Sequence, residues 1–306
     1  MIDMTASISQ TNGTHANGAP ASERPKILVQ GKLLKMAKLQ SEYYVPSGDP
    51  EELLRHARAS SRADLITFVE SLDSREPKHP FHFEKDAIAV LPISTYQHWF
   101  DKQLYFKPRN KLRKSLKNGV EARYVEFNDE LVGKIKAVYD ESPVRQGKPN
   151  KHYQKDLETL KREHQSFLDR SQFIGVFFKD EMIGFAKVTR VGNAAILMNI
   201  VSMICHRDKA PTNALIAKSV EYCAEHNITS LMYGVWGGRG LSDFKAANGF
   251  ERTEVARYFV PLTLKGRVAL KLGFHRPLMQ RLPEPVVKLA ADMRRRLAKE
   301  KKSKDE

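Results

Sequence analysis

The sequence predicts an α/β fold, a mixed sheet flanked by helices. Three observations predict it. Between residues 171 and 262, apolar runs and helix-period segments follow in the order strand, strand, long strand, helix, strand, helix, strand. Upstream, Asp49-Pro50-Glu51-Glu52 heads a helix, and 63–69 and 87–93 read as buried strands. The 306 residues are 41% hydrophobic and 28% charged, a composition that supports an ordinary globular core.

The elements follow in chain order. Residues 1–25 are rich in Thr, Ser, Asn, Gly and Ala and show no apolar period, so they are expected as a disordered tail. Segment 26–40 mixes apolar and basic residues and reads as a hairpin or an extended edge. Asp49 suits an N-cap, Pro50 the first turn, and Glu51 and Glu52 the positive end of the dipole. Asn128 caps a helix whose Leu131, Val132, Ile135, Val138 and Tyr139 share one face. Ser142-Pro143 ends it. A polar loop over 144–150 follows, then a second helix over 151–168.

The pattern changes after Ser171. Residues 173–178 and 182–188 read as a hairpin around Lys179-Asp180-Glu181. A long apolar strand spans 194–204. The loop 206–211 leads into a helix starting near Thr212, with Leu215, Ile216, Ser219, Val220 and Cys223 facing the core. A strand over 228–236 and a Gly-rich loop, Gly237-Gly238-Arg239-Gly240, precede a short helix closed by Asn248-Gly249. A last strand covers 257–262. Residues 263–306 form a basic amphipathic segment in which Leu264, Val268, Leu270, Leu272 and Phe274 alternate with Lys265, Arg267, Lys271 and Arg276. Such a segment suits an anionic membrane surface, or else a helix docked on the domain.

Charge is unevenly spread. The net charge is +15, and residues 265–306 alone carry 13 Lys/Arg against 5 Asp/Glu. Arg109, Lys111, Arg113, Lys114 and Lys117 make a second cluster without an acid. These patches favour anionic partners. No apolar run reaches the ~18 residues of a membrane span, and the N-terminus lacks a secretory pattern. A cytoplasmic protein is expected, with peripheral contact at the inner membrane face compatible with its C-terminal segment. The two cysteines, Cys205 and Cys223, lack metal-ligand spacing and are expected as buried reduced thiols, with no metal site.

Three segments carry a resemblance. They are Arg109-Asn110-Lys111-Leu112-Arg113-Lys114-Ser115-Leu116-Lys117-Asn118-Gly119-Val120, then Pro211-Thr212-Asn213-Ala214-Leu215 with the helix and strand after it, and Gly240-Leu241-Ser242-Asp243-Phe244-Lys245 followed by Asn248-Gly249-Phe250. In this order and spacing they resemble the Fem-type (FemAB-like) branch of the GNAT acyl-CoA N-acyltransferase superfamily. Known members of that branch move amino acids from aminoacyl-tRNA onto peptidoglycan precursors. The resemblance implies two GNAT-like halves: an abbreviated one over 26–127 and an acyltransferase half over 128–262. It also implies a donor that is acyl-CoA or aminoacyl-tRNA, with no tightly bound cofactor and no metal. The acceptor is an amine on a sugar, lipid-linked or peptide precursor, and tRNA is among the partners. The usual Gly-rich pyrophosphate loop is replaced by residues 207–212, which argues against ordinary acetyl-CoA binding.

Such a transfer needs positioning, an oxyanion donor and proton handling rather than covalent catalysis. By resemblance, a backbone N–H near 203–205 is the oxyanion donor and Lys245 faces the substrate. His152 and Tyr233 complete the catalytic candidates. Arg145, Gln146, Tyr153 and Trp236 are candidate substrate contacts, because the loop around the first three is polar and poor in packing residues. Arg207, Lys209, Thr212 and Asn213 surround a helix N-terminus and are candidates for holding donor phosphates. His206 is a further candidate base. Structural alternatives stand beside these roles: Thr212 as a helix cap, Lys245 as a surface lysine, Tyr233 and Trp236 as core. A non-catalytic GNAT-like scaffold that binds nucleic acid or membrane is the competing reading of the whole chain.

Overall fold

The computed structural model describes residues 27–39, 49–69 and 77–276. The expected tail over 1–25 and the end of the basic segment, 277–306, lie outside them. Two strands open the fold, β1 (Ile27–Gln30) and β2 (Met36–Leu39), paired as the expected hairpin. Helix α1 (Pro50–Ser60) follows, with the Asp49 side chain accepting from the Glu51 N–H as the sequence predicts. Then come β3 (Leu65–Val69), β4 (His82–Pro92), and α2 (Tyr96–His98), which continues as a π-helical turn over Trp99–Gln103. The basic cluster lies on α3 (Phe106–Lys117), followed by β5 (Val120–Val125) and α4 (Asp129–Asp140). Asn128 caps α4, and all five residues predicted for its inner face are buried.

The expected helix over 151–168 is shorter. It forms only as α5 (Leu157–His164), because Asp156 caps it and the preceding residues turn back onto α4. The loop 144–150 is a small hairpin, β6 (Val144–Arg145) and β7 (Lys148–Pro149). Its turn places Gln146 at φ 52° and Gly147 at φ 72°. The rest is β8 (Ser171–Phe178), β9 (Glu181–Val191), β10 (Ala194–Ser202), α6 (Pro211–Glu225), β11 (Ser230–Val235), α7 (Arg239–Ala247), β12 (Glu251–Pro261) and α8 (Leu264–Lys271). Lys179 and Asp180 take positive φ in the tight turn between β8 and β9.

Ten strands form one mixed sheet in the order β1-β2-β3-β12-β4-β11-β10-β9-β8-β5. Two strands cross the sequence boundary expected at 127/128. β12 runs between β3 and β4, and β5 pairs with β8 at the far edge. Strands from the two sides of that boundary therefore interleave in one sheet. One core lies where α4 and α6 cover β8 to β10, with Ile135, Tyr139, Phe185, Leu215 and Val220 in it. A smaller core holds α1 against β2, β3 and β12 through Leu53, Leu54, Phe68 and Tyr258. The registers make β10, β11 and β12 run in one direction, with β12 reaching farthest. The N-termini of α6, α7 and α8 follow directly from them.

Candidate active site

The sheet splits at its centre. β10 and β11 run parallel and pair only over Ala194–Ile196 against Ser230–Met232. Beyond that, β10 continues along β9 to Ser202, whereas β11 stays with β4. Two irregularities steer the strands apart. The β10–β9 register shifts between Leu197 and Asn199. The β11–β4 register shifts between Met232 and Val235, where Gly234 adopts φ 59°, a conformation glycine takes without a Cβ penalty.

The split frees backbone groups on β10. The Met203 N–H donates to Ile183 O at 2.9 Å, which fixes the alternation along the antiparallel β9–β10 pair. The amides of Ile200 and Ser202 then face the side that β11 has left. Two of the amides expected near 203–205 as oxyanion donors are engaged elsewhere. The Met203 N–H belongs to the ladder, and the Cys205 N–H donates to Glu141 Oε1 at 3.0 Å. Cys205 is exposed, not buried as expected, because the strand ends at Ser202; Cys223 is buried.

Each arm of the split is braced by a cation. Lys245 lies on α7 with only 2% of its surface exposed. Its ammonium donates to Tyr233 O at 2.5 Å and Val235 O at 2.6 Å, and sits 4.5 Å from the centre of the Tyr233 ring. Burial pulls its pKa down to about 8. Lys245 thus serves backbone carbonyls of β11, and the expectation that it faces substrate is corrected. Arg145 braces the other arm. Its guanidinium donates to Ser202 O at 2.8 Å and Val138 O at 2.7 Å, and contacts Glu141 Oε2 at 3.3 Å. The β6–β7 hairpin brings Arg145 to the end of β10, so an interhelical loop reaches the split.

The remaining candidates divide. Tyr233 and Trp236 lie on the β11 arm, and the Trp236 N–H holds Ala87 O at 2.8 Å. Burial pushes the Tyr233 phenol up to about 12, so it keeps its proton at neutral pH. Thr212 is not the helix cap. Ala210 takes that position at φ 51°, Pro211 starts the helix, and the Thr212 hydroxyl pairs with Ser202 Oγ at 2.8 Å. Asn213 is buried and donates to Asn248 Oδ1 at 3.0 Å, which removes it from the phosphate candidates. Arg207 and Lys209 lie in the turn before α6, where Lys209 pairs with Asp208 at 3.2 Å. Ser115 of α3 donates to Lys209 O at 2.6 Å, so the basic helix adjoins this turn.

His152, Gln146 and Tyr153 do not join them. The His152 ring stacks on Tyr139 at 4.4 Å and its Nδ1 lies 3.4 Å from Glu163. Burial lowers its pKa, and its contacts are with α4 and α5. Gln146 is exposed at the hairpin tip, and Tyr153 sits in the turn before α5. His206 lies 3.5 Å from Glu181 and packs near Phe178. Two structural contributors had no sequence signal for their role. Asn248 joins α7, α6 and the Trp99 indole, and Ser202 ties β10 to α6.

No protein-family model and no curated protein matches the chain. Solved structures do match. FemX is similar over 83% of this chain and 88% of its own, at 11% identity and a TM-score of 0.58. The C-terminal domain of a putative lysylphosphatidylglycerol synthetase from Agrobacterium fabrum is similar over 80% of this chain and 83% of its own, at 11% identity and a TM-score of 0.54. L-PGS from Bacillus licheniformis covers 82% and 86%, at 12% identity and a TM-score of 0.51. The chain thus shares the fold of FemX and of the two synthetases, an α/β mixed sheet flanked by helices as expected, and the likeness is one of fold.

Proposed function

We propose that the protein is an N-acyl or aminoacyl transferase whose reaction takes place in the split between β10 and β11. The carrying observation is the divergence of these strands after Ile196 and Met232, which exposes β10 amides beside the start of α6. An acyl carbonyl in the split receives hydrogen bonds from the Ile200 and Ser202 amides, which strengthen as the oxygen gains charge. The acceptor amine attacks that carbon. The new C–N bond forms, the thioester or ester bond breaks, and the amine proton leaves to solvent at the open edge. Tyr233, protonated at neutral pH, donates to the leaving sulfur or oxygen.

A large anionic donor fits better than acetyl-CoA. The first turn of α6 offers few free amides, because Pro211 has none and the Asn213 and Ala214 N–H groups both donate to Ala210 O. The adjoining basic surface of α3 supplies the charge instead. The acceptor is an amine on a sugar, peptide or lipid-linked precursor at the cytoplasmic face of the membrane. The name of one fold neighbour, lysylphosphatidylglycerol synthetase, supports a lipid as acceptor, there through a hydroxyl rather than an amine.

Titration calorimetry of the full chain with acetyl-CoA, long-chain acyl-CoA, and charged and uncharged tRNA tests the reading. At least one acylated donor should bind saturably and more tightly than its deacylated form. Equal, salt-sensitive binding of charged and uncharged tRNA, with no binding of either CoA thioester, would instead establish a scaffold.

A further inference from the structure

Helix α8 packs the opposite way from α6. α6 buries its large residues, Leu215, Ile216 and Val220. α8 buries only Gly266 and Ala269. A Cβ on Gly266 would lie 1.9 Å from Asp64 O, so the helix backbone rests directly on the start of β3. The mount is firm at both ends. Thr263 caps the helix and bonds Asp64 Oδ1 at 3.2 Å, Lys265 reaches Asp64 Oδ2 at 3.1 Å, and His275 beyond the helix holds Glu84 Oε1 at 2.7 Å.

The large residues of α8 face outward. Leu264, Val268 and Leu272 are 76%, 56% and 61% exposed and recur every fourth position, so they form one stripe. Lys265, Arg267 and Lys271 accompany it, and no acid occurs between Glu254 and Glu284. α8 follows β12, which runs in the same direction as β10 and β11 but continues from Thr253, level with Val235, to Pro261 before the helix begins. The split opens toward the same end of the strands as the α8 stripe, which lies farther along β12.

We propose that α8 seats the protein on an anionic lipid surface, its leucines and valine in the headgroup–acyl boundary and its lysines and arginine on the lipid charges. Charge selects this occupant. A second copy of a chain with net charge +15 would bring like charge against like. Residues 277–306 carry nine Lys/Arg against five Asp/Glu, the same sign as the stripe's flanks. Only the use of the docked state, presenting the split to a lipid-linked acceptor, rests on the transferase reading.

The test is flotation of the full chain with phosphatidylcholine vesicles, with and without phosphatidylglycerol. Wild type is expected to float with the anionic vesicles only. The triple variant Leu264→Glu, Val268→Glu, Leu272→Glu should lose roughly tenfold or more of that binding. Its substituted positions are exposed, so its melting temperature and its donor titration should stay unchanged. Arg267→Gln with Lys271→Gln should weaken binding severalfold and flatten its salt dependence. Anionic binding unaltered in the triple variant would place it on another basic surface and overturn the proposal. So would a wild type that floats with neither vesicle, whether it sediments as a monomer or as a dimer that the triple variant breaks. Donor binding that persists in these cases leaves the transferase reading standing.

Discussion

Lys245 and Arg145 do the same chemical work on opposite arms of one opening. Parallel strands that part leave carbonyls without ladder partners, and an unpaired buried carbonyl is costly. On the β11 arm, a lysine with 2% exposure supplies the missing donors from inside the fold. On the β10 arm, the half-buried Arg145 supplies them from a hairpin and also meets Glu141. The comparison teaches that a cation near a site is read by what its donors already hold. Lys245 is sealed into the β11 arm, so its removal should act through folding. Arg145 ties the end of β10 at the mouth of the split to α4, so its removal should act on turnover.

Replacing Lys245 with Met should have the largest effect. It leaves Tyr233 O and Val235 O without their donor, and urea unfolding should show a loss of about 3 kcal/mol, at roughly 1–3 kcal/mol per orphaned group. A loss within 0.5 kcal/mol, the ordinary range of surface changes, would break the comparison. Arg145→Ala should cost less stability, about 1–2 kcal/mol, because Arg145 is less buried than Lys245 and its contact with Glu141 is partly solvated. Its transfer rate should nevertheless fall by up to about 10²-fold, since the end of β10 loses its brace. Equal loss of stability and rate in the two variants would show that the arms are not distinct.

A smaller effect lies in pH. Burial holds Lys245 and also Lys187 at about 8 in the folded protein, below the ordinary lysine value. Between about pH 8 and 10.5 the unfolded chain binds more protons at these two sites, so they make stability rise with pH. The slope is at most about 1.4 kcal/mol per pH unit for each lysine. Lys245→Met should remove one such contribution when its unfolding is compared with wild type across that window. An identical pH dependence in both proteins would mean that Lys245 is not depressed.

Much of the fold was legible in the sequence because its signals are local. Asn128, Asp49 and Gly249 mark helix ends, and the apolar runs after Ser171 mark strands whose burial the structure bears out. The interleaving of halves was not legible, since nothing local in residues 251–261 says that this strand runs between β3 and β4. The site was read in part. Arg145, Thr212, Tyr233 and Trp236 do gather around the split. Their chemistry was harder to see because it depends on backbone partners: Lys245 spends its donors on carbonyls, and the exposed amides of Ile200 and Ser202 carry no side-chain signature. His152 was misplaced for a related reason, since its stacking on Tyr139 depends on a turn that replaces the first part of an expected helix.

The central claim is that the split receives the acyl group. Hydrogen exchange of the full chain, with and without the acylated donor that binds in calorimetry, tests it most directly. Slowed exchange is expected at the amides of residues 198–202 and 233–236. Protection confined to α3, or spread evenly with no change at the two arms, would contradict it.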